Sequence, residues 1–391
     1  MRNTLVNCGY CALLVLIVMS CKPDSAPLKI SPDASDIERN YFQDYDSPKH
    51  KWGFIDVGGR VQVEPQFDDL KDYINGRCAA NLGGRWGFLD KAGKNIIEHK
   101  YKQAYDFSDD GYALVQDFDN KWQIIDPEGT IISKLSASEF SEVKYGHLVF
   151  STAGMNGILD VSGKEIIEPT FISIKIYSAE HFIGRDGHGE ALYDLSGQKI
   201  SDTYDKIFSA KDGFLRARRD GLYYFLEEEG FDPLNKLGYK YAHDFNGDYS
   251  VIKTDAEFEI IDKQLNKIKK LNYKDVKSAG DGYWKYKQDR NWGLLSPKGD
   301  LISSDKFELL NRFSDNRIAY SINSQWGYLN KLGESVIGGN LALVWDFHDG
   351  RARMIGNRGV GFIDTTGQMV IKDRFFEVRE FYNGLSRFQT F

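Results

Sequence analysis

Aspartate returns at one fixed place in a repeated stretch of this 391-residue chain, and carboxylates are its clearest candidates for chemistry. Paired carboxylates can hydrolyse glycosides, and clustered carboxylates can bind calcium. The recurring residues are Asp56, Asp90, Asp126, Asp160, Asp194 and Asp364. Each begins a four-residue segment that ends in glycine, such as Asp56-Val-Gly-Gly59. Because Asp at the first position and Gly at the fourth favour a type I turn, we interpret these aspartates as structural.

The other candidates for catalysis or metal binding form no recognisable site. The seven histidines show neither an HExxH nor an HxH spacing, and no nucleophile elbow, phosphate-binding loop or dinucleotide glycine pattern is present. Asp109, Asp110 and the stretch Asp117–Asn120 could ligate a hard cation, but they lack the full set of oxygens of a calcium loop. The sequence therefore predicts a protein without a catalytic residue, a cofactor or a metal.

The aspartates belong to a tandem repeat whose first copy is KWGFID, starting at Lys51. The position after the tryptophan recurs at Gly53, Gly87, Gln123, Gly157, Ala191, roughly Gly221, Glu259, Gly293, Gly327 and Gly361. Six of the nine successive gaps are 34 residues, one is 36, and the remaining gaps of 30 and 38 average to 34. A fixed period of this length indicates a repeat architecture. We predict about ten repeats, the middle ones degenerate.

Each repeat is predicted to be a small antiparallel β-sheet, which makes the chain an all-β protein. In the stretch Trp52–Asp56 the side chains alternate, and both faces are apolar, so this strand should be buried on both faces. The turn that begins with Asp leads to a second strand, such as 95–101 or 164–171. A less regular segment then leads to a final strand, such as 113–116, 351–354 or 385–388. Three to four short strands per repeat would form a meander.

The tryptophans at the repeat position are interpreted as packing residues between repeats. They are Trp52, Trp86, Trp122, Trp292 and Trp326. A large ring supplies buried area that a small unit lacks. Trp284 and Trp345 fall outside this position. A role in the core is favoured for both, and they are also candidate ligand contacts, because exposed aromatic residues on loops bind glycan and protein ligands. A basic run from Lys263 to Lys277 is either a solvated face or a docking patch.

The repeats resemble the WG-repeat family of bacterial proteins, whose units carry a KWGFID-x-x-G-x-x-V-I-P-x-Y core. The resemblance covers about residues 50–391, and the P-x-aromatic element is clear in Glu64-Pro65-Gln66-Phe67 and Glu168-Pro169-Thr170-Phe171. The middle units lack the WG pair. The resemblance implies a repeat fold and a class of role, but no catalytic activity.

The two ends of the repeat region favour a closed ring over an open array. The first unit starts at its tryptophan strand, and the last unit stops after Leu385–Phe388 without one. The last strand could therefore pair beside Lys51–Asp56 and close a propeller-like ring, which removes exposed sheet edges. Ten blades are more than the usual four to eight, so two rings of five repeats and an open curved solenoid are the alternatives.

The first fifty residues read as an export and anchoring segment. An apolar run from Ala12 to Met19 is too short to span a bilayer and ends before Ser20-Cys21. This resembles a bacterial lipoprotein signal peptide, residues 1–20, with lipid on Cys21; an ordinary secretory signal is the alternative. Residues 21–50 are rich in Pro, Ser and Asp and read as a polar tether, followed by the repeat domain at 51–391.

Charge and cysteine content narrow the functional class. The formal charge of −7 argues against a nucleic-acid partner, because such binding relies on basic residues that neutralise phosphates. Beyond residue 21, Cys78 is the one remaining cysteine, so the domain has no internal disulfide or cysteine-based zinc site. We expect a lipid-anchored envelope protein, at the outer membrane or cell surface, that binds a protein or glycan partner. A glycan hydrolase and a purely structural envelope component are the alternatives.

Overall fold

The computed structural model describes residues 50–137, 139–227, 231–255 and 257–390. Every regular element in these residues is a β-strand, thirty-eight in number, so the predicted all-β class is confirmed. The predicted signal peptide, Cys21 and the tether up to residue 49 lie outside the described residues. Among the described residues, no helix has the length and apolar character needed to cross a bilayer.

The strands form ten antiparallel sheets, here called blades 1 to 10. The chain begins in blade 1 with β1 (Trp52–Asp56) and β2 (Val61–Phe67). Blade 2 contains β3 (Asp69–Leu70), β4 (Cys78–Leu82), β5 (Arg85–Leu89) and β6 (Asn95–Tyr101). Blade 3 contains β7 (Gln103–Ala104), β8 (Ala113–Gln116), β9 (Trp122–Ile125) and β10 (Ile131–Leu135). Blade 4 contains β11 (Glu139–Phe140), β12 (His147–Thr152), β13 (Met155–Asp160) and β14 (Glu165–Phe171).

The two blades that follow have three strands each. Blade 5 contains β15 (Ser173–Ile176), β16 (His181–Arg185) and β17 (Glu190–Asp194). Blade 6 contains β18 (Lys206–Ile207), β19 (Phe214–Arg219) and β20 (Leu222–Glu227). Blade 7 returns to four strands, with β21 (Tyr241–Ala242), β22 (Tyr249–Lys253), β23 (Phe258–Asp262) and β24 (Lys267–Leu271).

The remaining blades complete the circle. Blade 8 contains β25 (Asp275–Gly280), β26 (Tyr283–Lys287), β27 (Trp292–Leu295) and β28 (Leu301–Phe307). Blade 9 contains β29 (Leu309–Ser314), β30 (Arg317–Ile322), β31 (Gln325–Leu329) and β32 (Ser335–Leu341). Blade 10 contains β33 (Val344–His348), β34 (Arg351–Ile355), β35 (Val360–Asp364) and β36 (Met369–Phe375). The chain returns to blade 1 with β37 (Glu377–Val378) and β38 (Leu385–Gln389).

Within a blade, the strands are called a, b, c and d in the order of the repeat. Strand c is the WG strand, and its buried side chains in β1 confirm the prediction that it is covered on both faces. Strand d is the outer strand, since it ends the strand order opposite strand a and most of its side chains are at least partly exposed, as in β6. The a strands of consecutive blades touch one another, as β25, β29 and β33 do, so strand a lies toward the ring axis.

The repeat glycine is required by a close approach of strand d. A Cβ atom on Gly53 would lie 2.4 Å from the carbonyl oxygen of Val63, and one on Gly87 would lie 2.6 Å from that of Ile97. In both blades strand d carries extra residues opposite this glycine, so the register shifts there. In blade 3 Gln123 pairs in regular register with Lys134, and there a side chain fits. Glycine is therefore tied to the bulge and not to the blade itself.

The ring closes through blade 1, as the sequence predicts. Strand β38 lies antiparallel beside β1, in register from Asp56 opposite Leu385 to Trp52 opposite Gln389. Blade 1 therefore combines strands c and d from one end of the repeat region with strands a and b from the other. The result is one ten-bladed β-propeller, and the alternatives of two five-repeat rings and an open solenoid are wrong.

The hydrophobic core is divided into ten clusters, one at each contact between neighbouring blades. Between blades 1 and 2, Trp52 and Phe54 pack with Leu70, Cys78 and Leu89. A single blade is too thin to bury its own apolar faces, so each blade depends on both of its neighbours.

The structure corrects one repeat position. The residue of blade 6 that pairs like the repeat glycines is Tyr224, which lies opposite Ala217, and not Gly221. Gly221 lies in the preceding hairpin turn with a positive φ of 77°. The irregular spacing in the sequence thus comes from a glycine that serves the turn instead of strand c.

Candidate functional site

The aspartates at the repeat turns are engaged by the backbone of their own turns. Oδ1 of Asp160 accepts hydrogen bonds from the N–H groups of Ser162 (2.8 Å) and Lys164 (3.0 Å). Asp364 has the same two bonds, and hydrogen bonds from the hydroxyl of Thr366 and then from the backbone hold the pKa of its carboxyl below its usual value. The same pair of backbone hydrogen bonds is made by Asp56, Asp90, Asp126 and Asp194.

Two further turns of this kind, at Asp262 and Asp117, lack the glycine that marks the others. Asp262 accepts hydrogen bonds from the N–H groups of Gln264 and Asn266, while Leu265 takes the left-handed conformation with φ of 63°. Asp117, a candidate cation ligand in the sequence, forms the same bonds in the hairpin between β8 and β9. Within the described residues, no three His, Cys, Asp or Glu side chains are arranged to hold a metal ion.

A second recurring arrangement joins strand b of one blade to strand a of the next. Arg387 of blade 1 donates a hydrogen bond to the carbonyl of Leu70 (2.7 Å) and forms an ion pair with Asp72 (2.8 Å), both in the chain segment of blade 2. Arg353 of blade 10 contacts the carbonyl of Val378 and the carboxylate of Glu380 in the same way. Blades 6 and 7 repeat the pattern with Arg216, the carbonyl of Ala242 and the carboxylate of Asp244.

The tryptophan of strand c lies next to these basic groups. In blade 1, Arg379 and Arg387 lie over the ring of Trp52, at 5.6 and 5.7 Å from its centre. Arg379 is also ion-paired with Glu377 at 2.6 Å. This group, the Trp52 site, consists of Trp52, Arg379, Arg387, Glu377 and Asp72. Its two cations face two carboxylates, so the charges balance.

Blade 8 builds the same arrangement around Trp292 with a different charge. Lys277, Lys285 and Lys287 all lie over the ring of Trp292, at 5.1 to 5.3 Å from its centre. Lys277 and Lys285 stand directly opposite each other on β25 and β26, at the positions that Arg379 and Arg387 occupy in blade 1. Lys287 stands opposite Trp292, where blade 1 has Gln389.

The neighbouring blade does not neutralise these lysines. Blade 9 carries Arg312 at the position, two residues after the buried Leu310, where blade 2 has Asp72 two residues after Leu70. Lys285 instead donates to the backbone carbonyls of Leu310 and Asn311. Burial, and then the nearby charges of Lys277 and Arg312, lower the pKa of Lys285 to about 8. We call Trp292, Lys277, Lys285, Lys287 and Arg312 the Trp292 site.

One carboxylate lies within 4 Å of the lysines of the Trp292 site in the described structure. It is Asp275, whose carboxylate is 3.3 Å from the ammonium of Lys277. The side chain of Lys277 is nevertheless 53% exposed. Asp346 is a second carboxylate near Lys285, so four cations stand against two carboxylates on a chain whose net charge is negative. This is where the described structure departs from the neutralised pattern of the Trp52 site.

The basic run that precedes this site is neutralised. Lys267 pairs with Glu259, Lys269 with Asp300, Lys270 with Glu257 and Lys274 with Asp289, at 2.5 to 2.8 Å. These lysines lie on strand β24 or in the segment that follows it, and each forms an ion pair on the exposed surface. The run is thus a solvated face over most of its length, and Lys277 at its end belongs to the Trp292 site.

An open cleft of about 660 Å³ adjoins the Trp292 site between blades 7 and 8. Its lining consists of Lys240, Tyr241, Lys253, Thr254, Asp255, Phe258, Asp275 and Lys277. The two carboxylates in this lining each lie beside a lysine, Asp255 at 3.5 Å from Lys240 and Asp275 at 3.3 Å from Lys277. Lys277 belongs to both the cleft lining and the Trp292 site, so the two form one continuous surface.

The two tryptophans outside the repeat position have different surroundings. Trp284 is fully buried on β26, and its indole N–H donates to the carbonyl of Pro297 at 3.2 Å. As a candidate ligand contact Trp284 is ruled out, because its ring has no exposed face, and its burial agrees with the favoured role in the core. Trp345 is partly exposed on β33, where Arg353 covers its ring at 4.6 Å.

The sequence contains a signal for the Trp292 site. The motif YWKYK carries Lys285 and Lys287 at alternate positions, and Lys277 stands opposite Lys285 across the hairpin. The prediction from sequence named Trp284 of this motif and missed its two lysines. Trp86 and Trp326 are half-buried beside their interblade cores, Trp122 is buried, and Cys78 is buried so that the pKa of its thiol is raised.

Comparison with known proteins finds WG repeats in this chain. Four segments match the model of the WG containing repeat, residues 52–86, 86–122, 326–354 and 361–390, which together cover about a third of the chain. The prediction of WG repeats is thereby confirmed for these four segments, which lie toward the two ends of the repeat region. No curated protein matches the chain.

Solved structures with a similar overall shape are distant in sequence. A eukaryotic initiation factor is 11% identical with a TM-score of 0.45, over 78% of this chain and 96% of that one. BamB from Moraxella catarrhalis is 14% identical with a TM-score of 0.30, over 59% and 79%. PorZ from Porphyromonas gingivalis is 10% identical with a TM-score of 0.28, over 81% and 55%. Similarity at this level carries no argument about function.

Proposed function

We propose that this chain is a lipid-anchored envelope protein whose propeller is a non-catalytic binding or scaffold module for a protein or glycan partner. The observation that carries this proposal is the Trp292 site, where four cations gather with only two nearby carboxylates, Asp275 and Asp346. Charges that are not balanced within a protein are available to a ligand of opposite charge. The adjoining cleft gives such a ligand a concave surface to enter.

Anchoring is the part of the proposal that rests on sequence. The pattern at residues 18–21 supports removal of residues 1–20 and attachment of lipid to Cys21, and the polar stretch to residue 50 would hold the ring away from the membrane. We predict that Cys21→Ala abolishes incorporation of labelled palmitate and leaves an unprocessed or soluble product. Cys78→Ala is the matched control and should label normally, because Cys78 is buried within the propeller. Equal labelling of the Cys21→Ala variant would contradict anchoring.

A glycan hydrolase is the competing function, and the cleft is where its carboxylates would have to lie. A general acid at neutral pH needs a carboxyl group whose pKa is raised by burial in apolar surroundings. The side chain of Asp255 is 90% exposed, and each cleft carboxylate is ion-paired with a lysine, Asp255 with Lys240 and Asp275 with Lys277. These surroundings support binding over hydrolysis.

The proposed function is tested by capture from the native envelope. A tagged full-length chain is crosslinked in intact cells, recovered, and its bound proteins and glycans are identified. A chain that ends at Gly384, and so lacks the closing strand, is the control. We expect one partner enriched by the closed ring over this control. Recovery of no partner by the closed ring, or release of reducing sugar ends from envelope glycans by the purified protein, would contradict the proposal.

A further inference from the structure

The repeat provides an internal standard for judging the Trp292 site. Blades 1 and 8 place a cation on strand a, a cation on strand b and a tryptophan on strand c at matching positions. In blade 1 the next blade supplies Asp72 to the strand b cation, and in blade 8 the next blade supplies Arg312. The fold therefore accepts a carboxylate at the position of Asp72. Among the WG tryptophans that the structure describes, only Trp292 has a cation, Arg312, at the equivalent position of the next blade.

The like charges of the Trp292 site oppose folding in the absence of a ligand. Lys277 and Lys285 are direct cross-strand neighbours on β25 and β26, and like charges in that relation destabilise a sheet. The ring of Trp292 attracts the ammonium groups, which holds them together without neutralising them. A bound anion would remove the repulsion, so the site is organised for an anionic ligand.

The spacing of the lysines matches an extended chain. Lys285 and Lys287 are two residues apart on the same face of β26, which separates them by roughly 7 Å along the strand. Alternate side chains of an extended peptide have this same spacing. Lysine ammonium groups act as point charges, whereas planar, bidentate recognition of phosphate is characteristic of arginine. The row of lysines thus fits carboxylates carried at every second residue.

The adjoining cleft extends this row in the direction of blade 7. Beyond Lys277 its lining contains two more lysines, Lys240 and Lys253, together with the aromatic residues Tyr241 and Phe258. Lys253 lies 5.1 Å from the centre of the Phe258 ring, as the lysines of the Trp292 site lie over Trp292. An extended peptide that leaves the Trp292 site could place an apolar side chain on this surface and a further carboxylate beside the lysines.

We propose that the Trp292 site binds an extended acidic peptide segment of a partner protein, with carboxylates at alternate positions. This inference rests on the proposed binding function and names the chemistry of the partner. The carboxylates lie against Lys277, Lys285 and Lys287, and Arg312 supplies the fourth positive charge from blade 9. The cleft between blades 7 and 8 receives the continuation of the segment.

The test uses a fluorescently labelled peptide in which glutamate and threonine alternate. Its binding to the full chain is measured by fluorescence anisotropy. We expect Arg312→Asp, which restores the carboxylate found in blade 2, to weaken binding at least about tenfold. The pair of substitutions Lys277→Gln and Lys287→Gln should have the same effect, and Arg312→Lys should retain binding. Lys372→Gln, an exposed lysine on β36 of blade 10, is the matched control and should bind as the unchanged chain does.

Comparison peptides and a glycan separate this inference from the proposed function. A peptide that alternates glutamine and threonine should not bind, and one with its glutamates in a single block should bind more weakly. Lysine-dependent binding of oligogalacturonate but not of the acidic peptide would overturn the peptide assignment and leave a glycan-binding module. Capture of an envelope partner that is unaffected by Arg312→Asp would overturn the Trp292 site and leave the proposed function standing.

Discussion

Blades 1 and 8 use the same positions of the repeat for opposite purposes. Around Trp52, Arg387 reaches across to Asp72 and the carbonyl of Leu70, so its charge joins two blades. Around Trp292, Lys285 reaches the equivalent carbonyl of Leu310 but meets Arg312 instead of a carboxylate. The hydrogen bond to the backbone is kept while the ion pair is lost. A basic group on strand b can therefore form an ion pair that joins two blades, or it can remain unpaired and available to a ligand. The residue at one position of the next blade, Asp72 or Arg312, decides between these two roles.

The largest expected effect comes from removing strand β38, which carries Arg387 and closes the ring. A chain that ends at Gly384 would expose Trp52 and Phe54 and lose the pairing of β1 with its partner strand. We expect the free energy of unfolding to fall by more than about 4 kcal/mol, because every blade depends on both neighbours. Denaturant unfolding measures this, with a chain that ends at Gln389 as the control. An unchanged midpoint with a slightly smaller slope would mean that the blades behave as an open array.

The next effect tests the ion pair that distinguishes the two sites. Asp72→Ala would leave the mostly buried guanidinium of Arg387 without its carboxylate, and we expect a loss of about 2 kcal/mol in the free energy of unfolding. Arg312→Ala, the matched substitution in blade 9, removes a repelling charge and should leave stability unchanged or slightly higher. Equal losses for both variants, measured by thermal or denaturant unfolding, would show that the two positions have the same structural role.

A smaller effect should appear in the pH dependence of stability through Lys285. The charged groups around its ammonium are Lys277 and Arg312, which lower its pKa, and Asp346 and Asp275, which raise it. Since its folded pKa of about 8 lies below the unfolded value, folding opposes protonation, and stability should rise as the pH increases from about 8 toward 10.5. The gain should be about 1 kcal/mol, because part of the side chain is open to solvent.

Lys285→Met provides the control for this pH effect, since the thioether side chain keeps the length of lysine and does not titrate. The difference in unfolding free energy between the two chains should narrow or reverse between pH 8 and pH 10.5. A difference that stays constant over this range would show that Lys285 keeps an ordinary pKa in the folded protein. In the unchanged chain, binding of the acidic peptide should weaken over the same range as Lys285 loses its charge.

The smallest expected effect converts the Trp292 site into a copy of the Trp52 site. Arg312→Asp should raise the free energy of unfolding by about 0.5–1 kcal/mol, because a partly exposed ion pair replaces a repulsion. The gain should shrink at high salt, where exposed charges are screened. Thermal unfolding at low and high salt measures both. A loss of stability would mean that Arg312 is needed for packing, and the site would then be structural.

The sequence by itself determined the features of this protein that depend on neighbours along the chain. The turn aspartates bond to N–H groups two and four residues later, and the alternation in WGFID decides which strand is covered on both faces. Closure of the ring could also be inferred, because the repeat starts and stops out of phase at its two ends. The exception was blade 6, where the glycine of a tight turn stood near the position expected for strand c.

The tertiary structure alone decided which charges are balanced. Arg387 and Asp72 are more than three hundred residues apart in the chain, and they meet only because the ring closes. Arg312 affects Lys285 because blade 9 packs on blade 8, and Trp284 is buried because it lies between blades 7 and 8. Electrostatic effects and burial depend on distances in space, and in a repeat protein each blade's surroundings are supplied by the blades beside it. A sequence pattern within one repeat does not contain that information.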